Sequence, residues 1–501
     1  MKSQKIEWRR KIFLHFPQNL FTSRYAHPSQ DFLSPHLQHP INPNFSFDRN
    51  LQAVLYGRRL LEIELKTFSD ATLREHWLNG YIQMTPALVK EYGRYQCLRC
   101  GNHQADYFSS YQCGRCGEEC TYCRACLTLG VVKSCSKLIT WAGPPIENSR
   151  MSNLKLQWEG QLTSRQQQAA DQLVKAIQEG EDFMIWAVTG AGKTEILYPA
   201  LKLSVEQAKK VAVVSPRTDV VIELAKRLKR VFADTSVNVL YGDSPETYHP
   251  SAITLATTHQ LLRFYQYFDA VFIDEVDAFP FHNNPMLHYA LEHSLKPQAP
   301  RYYLTATPTP ELKTRFEKGR LHGIRIPVRF HGFPLPVPTF DWIGNWRKAL
   351  SRDHLPTKIV RWTEHQLDAQ RQAFLFVPSI EVLEALLPLF KRISSRIEGV
   401  HSEDALRHQK VEAFRKGEIP LLLTTTILER GVTIPFLDVA VLGAEDPIFD
   451  ERALVQLSGR VGRDARDPAG KLTYFHYGVT WQMVKAREHI RKMNTLAKTL
   501  K

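Results

Sequence analysis

The stretch Ala187-Val188-Thr189-Gly190-Ala191-Gly192-Lys193-Thr194 has the residue types that phosphate binding needs. Gly190 and Gly192 let backbone N–H groups approach an anion, with Thr189 and Ala191 completing the turn. Lys193 supplies a cation for the β and γ phosphates, and Thr194 a hydroxyl for Mg²⁺. Further along, Asp274-Glu275-Val276-Asp277 follows the apolar run Ala270-Val271-Phe272-Ile273. There Asp274 suits a water-mediated Mg²⁺ ligand and Glu275 a base for the attacking water. Gln456-Leu457-Ser458-Gly459-Arg460-Val461-Gly462-Arg463 sets two arginines directly after glycines. Guanidinium groups suit the charge that develops in phosphoryl transfer, so Arg460 and Arg463 are further catalytic candidates. Gln456 is placed to seat the nucleotide or relay closure. Taken alone, the first segment also reads as a chance match, the second as a solvated acidic loop and the third as a basic surface turn. In this order they describe an ATP hydrolysis site whose two halves lie far apart in the chain.

A second chemistry sits upstream. All eight cysteines fall between Cys97 and Cys135, spaced Cys97-x2-Cys100, Cys113-x2-Cys116, Cys120-x2-Cys123-x2-Cys126 and then Cys135. Eight thiolates suit two tetrahedral zinc sites, and glycines (Gly101 and Gly117) follow the first two knuckles. The simplest grouping is sequential: Cys97, Cys100, Cys113 and Cys116 on one ion, Cys120, Cys123, Cys126 and Cys135 on the other. An interleaved grouping would join Cys97 and Cys100 to Cys123 and Cys126. An iron–sulfur cluster on the closely spaced Cys120, Cys123 and Cys126 is a further alternative. Tyr107, Tyr111, Tyr122, Arg115 and Arg124 flank the knuckles, suited to stacking on single-stranded DNA or to docking a protein.

These residues must be positioned by a layered scaffold. Short β-branched or aromatic runs (Phe183 to Val188, Val211 to Ser215, Ile253 to Thr257, Ala270 to Ile273 and Tyr302 to Thr305) alternate with helical stretches. A second series runs Phe374 to Val377, Gly399 to His401, Leu421 to Thr424 and Val439 to Leu442. That alternation predicts α/β units with parallel sheets in two lobes. The proline-rich Phe333 to Pro338 predicts the hinge between them. Upstream, the apolar spacing predicts helices over Leu51 to Glu64 and Thr85 to Tyr92, the latter with Thr85 as N-cap and Pro86 at the first position. Residues 1–50 read as irregular, and Gly143 to Asn148 as a linker. The expected division is an N-terminal region over 1–90, a cysteine module over 91–145, and lobes over 146–332 and 333–501.

Composition agrees with a nucleic-acid partner. The formal charge is +14; two zinc ions on eight thiolates would lower it to about +10, still basic. No apolar run suits a membrane span, and the N-terminus lacks a signal-peptide pattern, which predicts a cytoplasmic protein.

From Leu162 to Lys501 the chain resembles superfamily 2 DNA helicases. Leu162-Thr163-Ser164-Arg165-Gln166 resembles the entry segment, which implies adenine contact by Gln166. Val214 to Val220 and Ala256 to Gln260 resemble first-lobe nucleic-acid segments, which implies DNA contact through Pro216, Arg217, Thr257 and Thr258. Thr305-Ala306-Thr307-Pro308 resembles the coupling segment. Phe376 to Ser379 and Thr424 to Val432 resemble second-lobe motifs, with Thr425 at the DNA. The resemblance implies two RecA-like motor lobes after the N-terminal region and zinc module.

The upstream cysteines narrow this to the late competence (ComFA) family of bacterial DNA uptake. Leu55-Tyr56-Gly57-Arg58-Arg59-Leu60-Leu61, Gly80-Tyr81-Ile82, Cys97 to Asn102 and Cys120 to Cys126 carry that likeness. In the rival primosomal replication-restart helicases the cysteine region lies inside the motor; here it precedes Lys193. The resemblance implies ATP, Mg²⁺ and zinc as cofactors, with single-stranded DNA, the membrane DNA channel and other competence proteins as partners. It also implies a place at the inner face of the membrane and leaves an oligomer open. Duplex unwinding in restart or repair, and an ATP-gated adaptor, are the alternative functions.

Overall fold

The computed structural model describes residues 39–146, 153–426, 434–468 and 470–499. Its N-terminal part begins with the helix Arg49–Leu55, capped by Asp48, whose side chain accepts from the Asn50 and Leu51 N–H groups. The helix expected over Leu51 to Glu64 ends here. Gly57 takes φ +72, and a Cβ on it would lie 1.8 Å from the Tyr267 ring, so the chain turns against the first lobe and continues as a strand.

Eight strands follow: β1 (Arg59–Leu61), β2 (Ile82–Pro86), β3 (Leu88–Glu91), β4 (Arg94–Cys97), β5 (Phe108–Gln112), β6 (Glu119–Cys123), β7 (Val132–Lys133) and β8 (Lys137–Trp141). They pair antiparallel as β1-β8-β2, β3-β4 and β5-β6-β7. The expected helix over Thr85 to Tyr92 is therefore the end of β2 and all of β3. Pro86, without an N–H, closes β2 opposite Lys137. Tyr92 (φ 48) and Gly93 (φ 77) form the two-residue turn between β3 and β4, positive φ at both positions suiting the strand twist. The expected boundary at residue 90 falls inside this hairpin, and β8 carries the chain back to β1 and β2 after the cysteines. Leu51, Leu55, Leu60, Leu65, Leu73, Trp77, Ile82 and Ile139 form the small core.

The first lobe has a seven-stranded parallel sheet: β9 (Phe183–Ala187), β10 (Val211–Ser215), β11 (Val237–Leu240), β12 (Ile253–Thr257), β13 (Ala270–Asp274), β14 (Arg301–Thr305) and β15 (His322–Ile326), in the order β11-β12-β10-β13-β14-β9-β15. The second has six: β16 (Thr339–Trp342), β17 (Gln372–Phe376), β18 (Glu398–Val400), β19 (Leu421–Thr424), β20 (Leu437–Leu442) and β21 (Leu472–His476), ordered β16-β21-β20-β17-β19-β18. Strands β9, β10, β12, β19 and β20 are buried along their whole length, as expected of sheets covered by helices on both faces. The proline-rich stretch joins β15 to β16. Parallel strands end on one edge, so the loops after β9, β10, β12, β13 and β14 share an edge of the first lobe. Among the described residues no helix is long and apolar enough to cross a membrane.

Candidate nucleotide site and metal centres

The phosphate turn follows the buried β9. Gly190 takes φ +79 and Gly192 φ +75. Gly192 caps the helix Lys193–Glu206 without a side chain to cover its first-turn N–H groups, which leaves an anion-binding end. Gln166 braces this turn. Its Nε2 donates to Ala191 O at 2.9 Å and its Oε1 accepts from Thr163 N at 2.8 Å. One N–H and one acceptor lone pair remain for a base. A Cβ at residue 192 would lie 2.2 Å from Gln166 Nε2, so glycine there is a packing requirement as well as a phosphate one.

The acidic segment follows β13. Glu275 sits at φ 57, and its N–H donates to Leu304 O and Asp274 Oδ1, each at 3.0 Å. Such a conformation costs a non-glycine residue roughly 1–3 kcal/mol and is retained mostly where a site requires it. Asp277 is buried and accepts from Thr305 Oγ1 at 2.6 Å and Thr307 Oγ1 at 2.7 Å. Gln456 Nε2 then donates to Thr307 Oγ1 at 3.3 Å. A hydrogen-bonded chain thus runs from the acidic turn through the β14 loop into the second lobe.

The second lobe meets the phosphate turn closely. A Cβ on Gly459 would lie 1.8 Å from Thr189 Oγ1. Arg460 is buried, and Arg463 Nε donates to Gly459 O at 2.9 Å. Burial lowers the Arg463 pKa from its usual value, while Glu223 and Glu275 oppose that shift. Together these groups line one cavity of about 460 Å³. Its walls bring Gln166, Thr189, Gly190, Gly192, Lys193, Thr194, Asp274, Glu275, Gln456, Arg460 and Arg463 together. Ala191 stays buried behind the turn.

Several neighbours had no motif to mark them. Glu223 and Arg227 line the cavity and pair at 2.6 Å. Arg329 is buried, and its Nη1 donates to the carbonyls of Val461 at 2.8 Å and Gly462 at 2.5 Å. The next residue, Phe330, donates its N–H to Gly190 O at 3.0 Å. This segment therefore clasps the second-lobe arginine turn to the phosphate turn.

The nucleic-acid candidates lie in the loops at the C-terminal strand ends. Pro216, Thr257 and Thr258 are buried there. Arg217 is half-buried beside Asp219 at 3.3 Å, and Thr425 is half-buried just after β19. Ile427 to Val432 of the second-lobe motif lie outside the described residues.

The cysteines form two tetrads: Cys97, Cys100, Cys123 and Cys126, and Cys113, Cys116, Cys120 and Cys135. This corrects the sequential grouping in favour of the interleaved one. The reason is strand geometry. Cys120 and Cys123 both lie on β6, three residues apart, so their side chains leave opposite faces and cannot share an ion. The same split separates Cys120 from the set an iron–sulfur cluster on Cys120, Cys123 and Cys126 would need. Sulfur pairs stand at 3.9 Å (Cys97–Cys126), 3.7 Å (Cys100–Cys123), 4.0 Å (Cys113–Cys135) and 3.3 Å (Cys116–Cys120). Tetrahedral zinc with bonds of about 2.3 Å needs sulfurs about 3.8 Å apart. Both tetrads fit.

Residues 42–140 match the competence protein ComFA N-terminal domain family. Residues 159–310 match the type III restriction enzyme res subunit family, and 357–465 the helicase conserved C-terminal domain. Competence protein ComFA of Bacillus subtilis is 44% identical over 91% of this chain and 98% of its own. The chain belongs to the ComFA family. Competence protein ComFA of Streptococcus pneumoniae is 37% identical over 82% of this chain and 92% of its own. Among solved structures, Saccharomyces cerevisiae Dbp5 bound to RNA and ADP BeF3 aligns with a TM-score of 0.49 at 14% identity, covering 66% of this chain and 88% of that one. As a ComFA-family member the chain is a competence-associated ATPase of the superfamily 2 helicase type.

Proposed function

We propose that this protein is an ATP-driven translocase on single-stranded DNA that draws transforming DNA into the cytoplasm. The observation that supports the reading best is the shared cavity, lined by the phosphate turn, the acidic turn and the second-lobe arginines. In this reading Lys193 and the first-turn amides hold the β and γ phosphates. Thr194, and Asp274 through water, would hold Mg²⁺, which would neutralise phosphate charge. Glu275 takes the proton of the attacking water, and Arg460 and Arg463 meet the charge that develops. Closure of the lobes reaches DNA through Asp277, Thr305, Thr307 and Gln456, and through the loops holding Pro216, Arg217, Thr257, Thr258 and Thr425. Single-stranded DNA, the membrane DNA channel and other competence proteins are the partners, at the inner face of the membrane.

An ATPase titration with single-stranded DNA, duplex DNA and RNA tests this directly. Stimulation by single strands above the other two is expected; no stimulation would favour an ATP-gated adaptor. Strand displacement from a tailed duplex would favour a restart or repair helicase. Glu275→Gln is expected to bind ATP normally and turn it over roughly 10²-fold more slowly. Turnover at the wild-type rate would remove Glu275 as the base. Asp277→Asn takes the charge from two hydroxyl contacts without touching phosphate. Slower DNA-stimulated turnover at unchanged nucleotide affinity is expected, measured by stopped-flow binding beside steady-state ATPase.

A further inference from the structure

The N-terminal unit docks on the first lobe around one carboxylate. Glu64 lies in the 3₁₀ turn Glu62–Leu65 that follows β1, and its Oε2 accepts the Leu61 N–H at 3.0 Å. Arg99 Nη2 lies 3.1 Å from Oε1 and 3.0 Å from Oε2. Arg263 Nε donates to Oε1 at 2.7 Å. The two arginines come from different parts of the chain. Arg99 lies inside the Cys97–Cys100 knuckle, with its side chain 0% exposed. Arg263 ends the 3₁₀ helix Thr258–Arg263 that follows β12, and its Nη1 donates to Gln260 Oε1 at 2.5 Å.

The cluster has a third cation. Arg58 is pushed down to about 10, chiefly by burial; Tyr248 and Glu64 oppose this, and Arg263 and Arg99 add to it. Glu64 bonds to Arg99 and Arg263 and its charge also acts on Arg58, so removing that charge leaves the buried Arg99 beside two half-buried arginines with their shared counter-charge gone. The knuckle is held at the same interface. Leu98 O accepts from Tyr289 Oη at 3.0 Å and from Arg59 Nη2, and a Cβ on Gly101 would lie 2.3 Å from the Tyr289 ring. Tyr289 belongs to the first-lobe helix Pro285–Ser294.

The second tetrad makes no such bridge in its described contacts. Arg115 beside it pairs with Glu62 at 2.5 Å, while Lys133 Nζ and Tyr111 Oη each lie 3.6 Å from Cys113 Sγ. All of these belong to the N-terminal unit.

We propose that Glu64 is a positioning residue that couples the Cys97/Cys100/Cys123/Cys126 site to the Thr257–Arg263 segment. That site then sets affinity for single-stranded DNA, and the Cys113/Cys116/Cys120/Cys135 site does not act through this path. The proposal rests on the DNA-stimulated ATPase reading above for its functional readout, and on hydrogen exchange for its structural one.

The test uses full-length zinc-loaded protein and a poly-dT oligonucleotide. Glu64→Gln is expected to keep both metals and basal ATPase. The half-saturating DNA concentration should rise ~10-fold, within the range of ordinary coupling between sites, and amide exchange across residues 258–263 should speed up. Arg263→Gln, which leaves the knuckle intact, should do the same. In a double-mutant cycle, Glu64→Gln with Cys126→Ser should be no worse than Cys126→Ser alone, whereas Glu64→Gln with Cys135→Ser should add. Wild-type DNA response and wild-type exchange at 258–263 in both Glu64→Gln and Arg263→Gln would overturn the proposal. So would full additivity with Cys126→Ser. If the wild-type ATPase ignores DNA, the translocase reading fails, and exchange at 258–263 still decides the coupling. If Glu64→Gln does not fold, Arg263→Gln alone decides it by the same two measurements.

Discussion

Arg463→Ala is expected to lower ATP turnover ~10³-fold at saturating nucleotide, with a much smaller change in affinity. The guanidinium reaches the cavity from the second lobe while its Nε is tied to Gly459 O at 2.9 Å. It is therefore held in place before charge develops on the transferred phosphoryl group, where a fixed cation is worth most. Burial lowers its pKa, and Glu223 and Glu275 favour the charged form. Arg460 is buried against the same cavity, so Arg460→Ala tests the neighbouring candidate. Arg463→Lys separates charge from shape: it keeps the cation, loses the planar fork, and should recover only part of the rate. Quench-flow turnover beside equilibrium nucleotide binding distinguishes the cases. Weaker binding with intact saturated turnover would contradict a catalytic role for the closed lobes.

The motor was legible where a buried parallel strand meets a charged turn. β9, β10, β12, β13, β14, β17, β19 and β20 each contain a short apolar or β-branched run, and their positions follow from the residues. The strands that went unread are less uniform. Val237–Leu240, His322–Ile326 and Thr339–Trp342 lie at sheet edges, where polar residues are tolerated and the apolar signal thins. Leu472–His476 lies inside the second sheet yet mixes threonine, tyrosine and histidine.

The N-terminal errors share another cause. Helical spacing at Leu51 to Glu64 and a proline after Thr85 are local signals, and tertiary contacts overrode both. Gly57 had to pass under the Tyr267 ring, and Pro86 had to end a strand beside β8. Arg329 illustrates what one sequence cannot mark. Its side chain bonds to main-chain carbonyls, which carry no sequence signature. Cys120 and Cys123 erred differently: x2 spacing suggests a shared knuckle until the segment is known to be a strand.

That strand leads to the prediction with the largest effect on stability. The protein purified without added zinc is expected to carry about two zinc ions per chain. Cys123→Ser and Cys120→Ser, only three residues apart, should each lose one ion, and not the same one. In Cys123→Ser, native alkylation should reach Cys97, Cys100 and Cys126 and spare the other tetrad. In Cys120→Ser it should reach Cys113, Cys116 and Cys135. The destabilisation should be large and local. A structural zinc site contributes an apparent ~10–16 kcal/mol to folding, comparable with the gross burial of the eight apolar residues in the small core, each worth roughly 1.5–3 kcal/mol when buried. That burial must also offset the ordering of the whole unit. Proteolysis should therefore begin within residues 88–136 in either variant. The lobes fold around their own parallel sheets, so basal ATPase should largely survive. One zinc per chain, with half of the cysteines alkylated in the native wild type, would leave a single four-thiolate site. If both variants exposed the same three cysteines, β6 would not divide its thiolates between two ions.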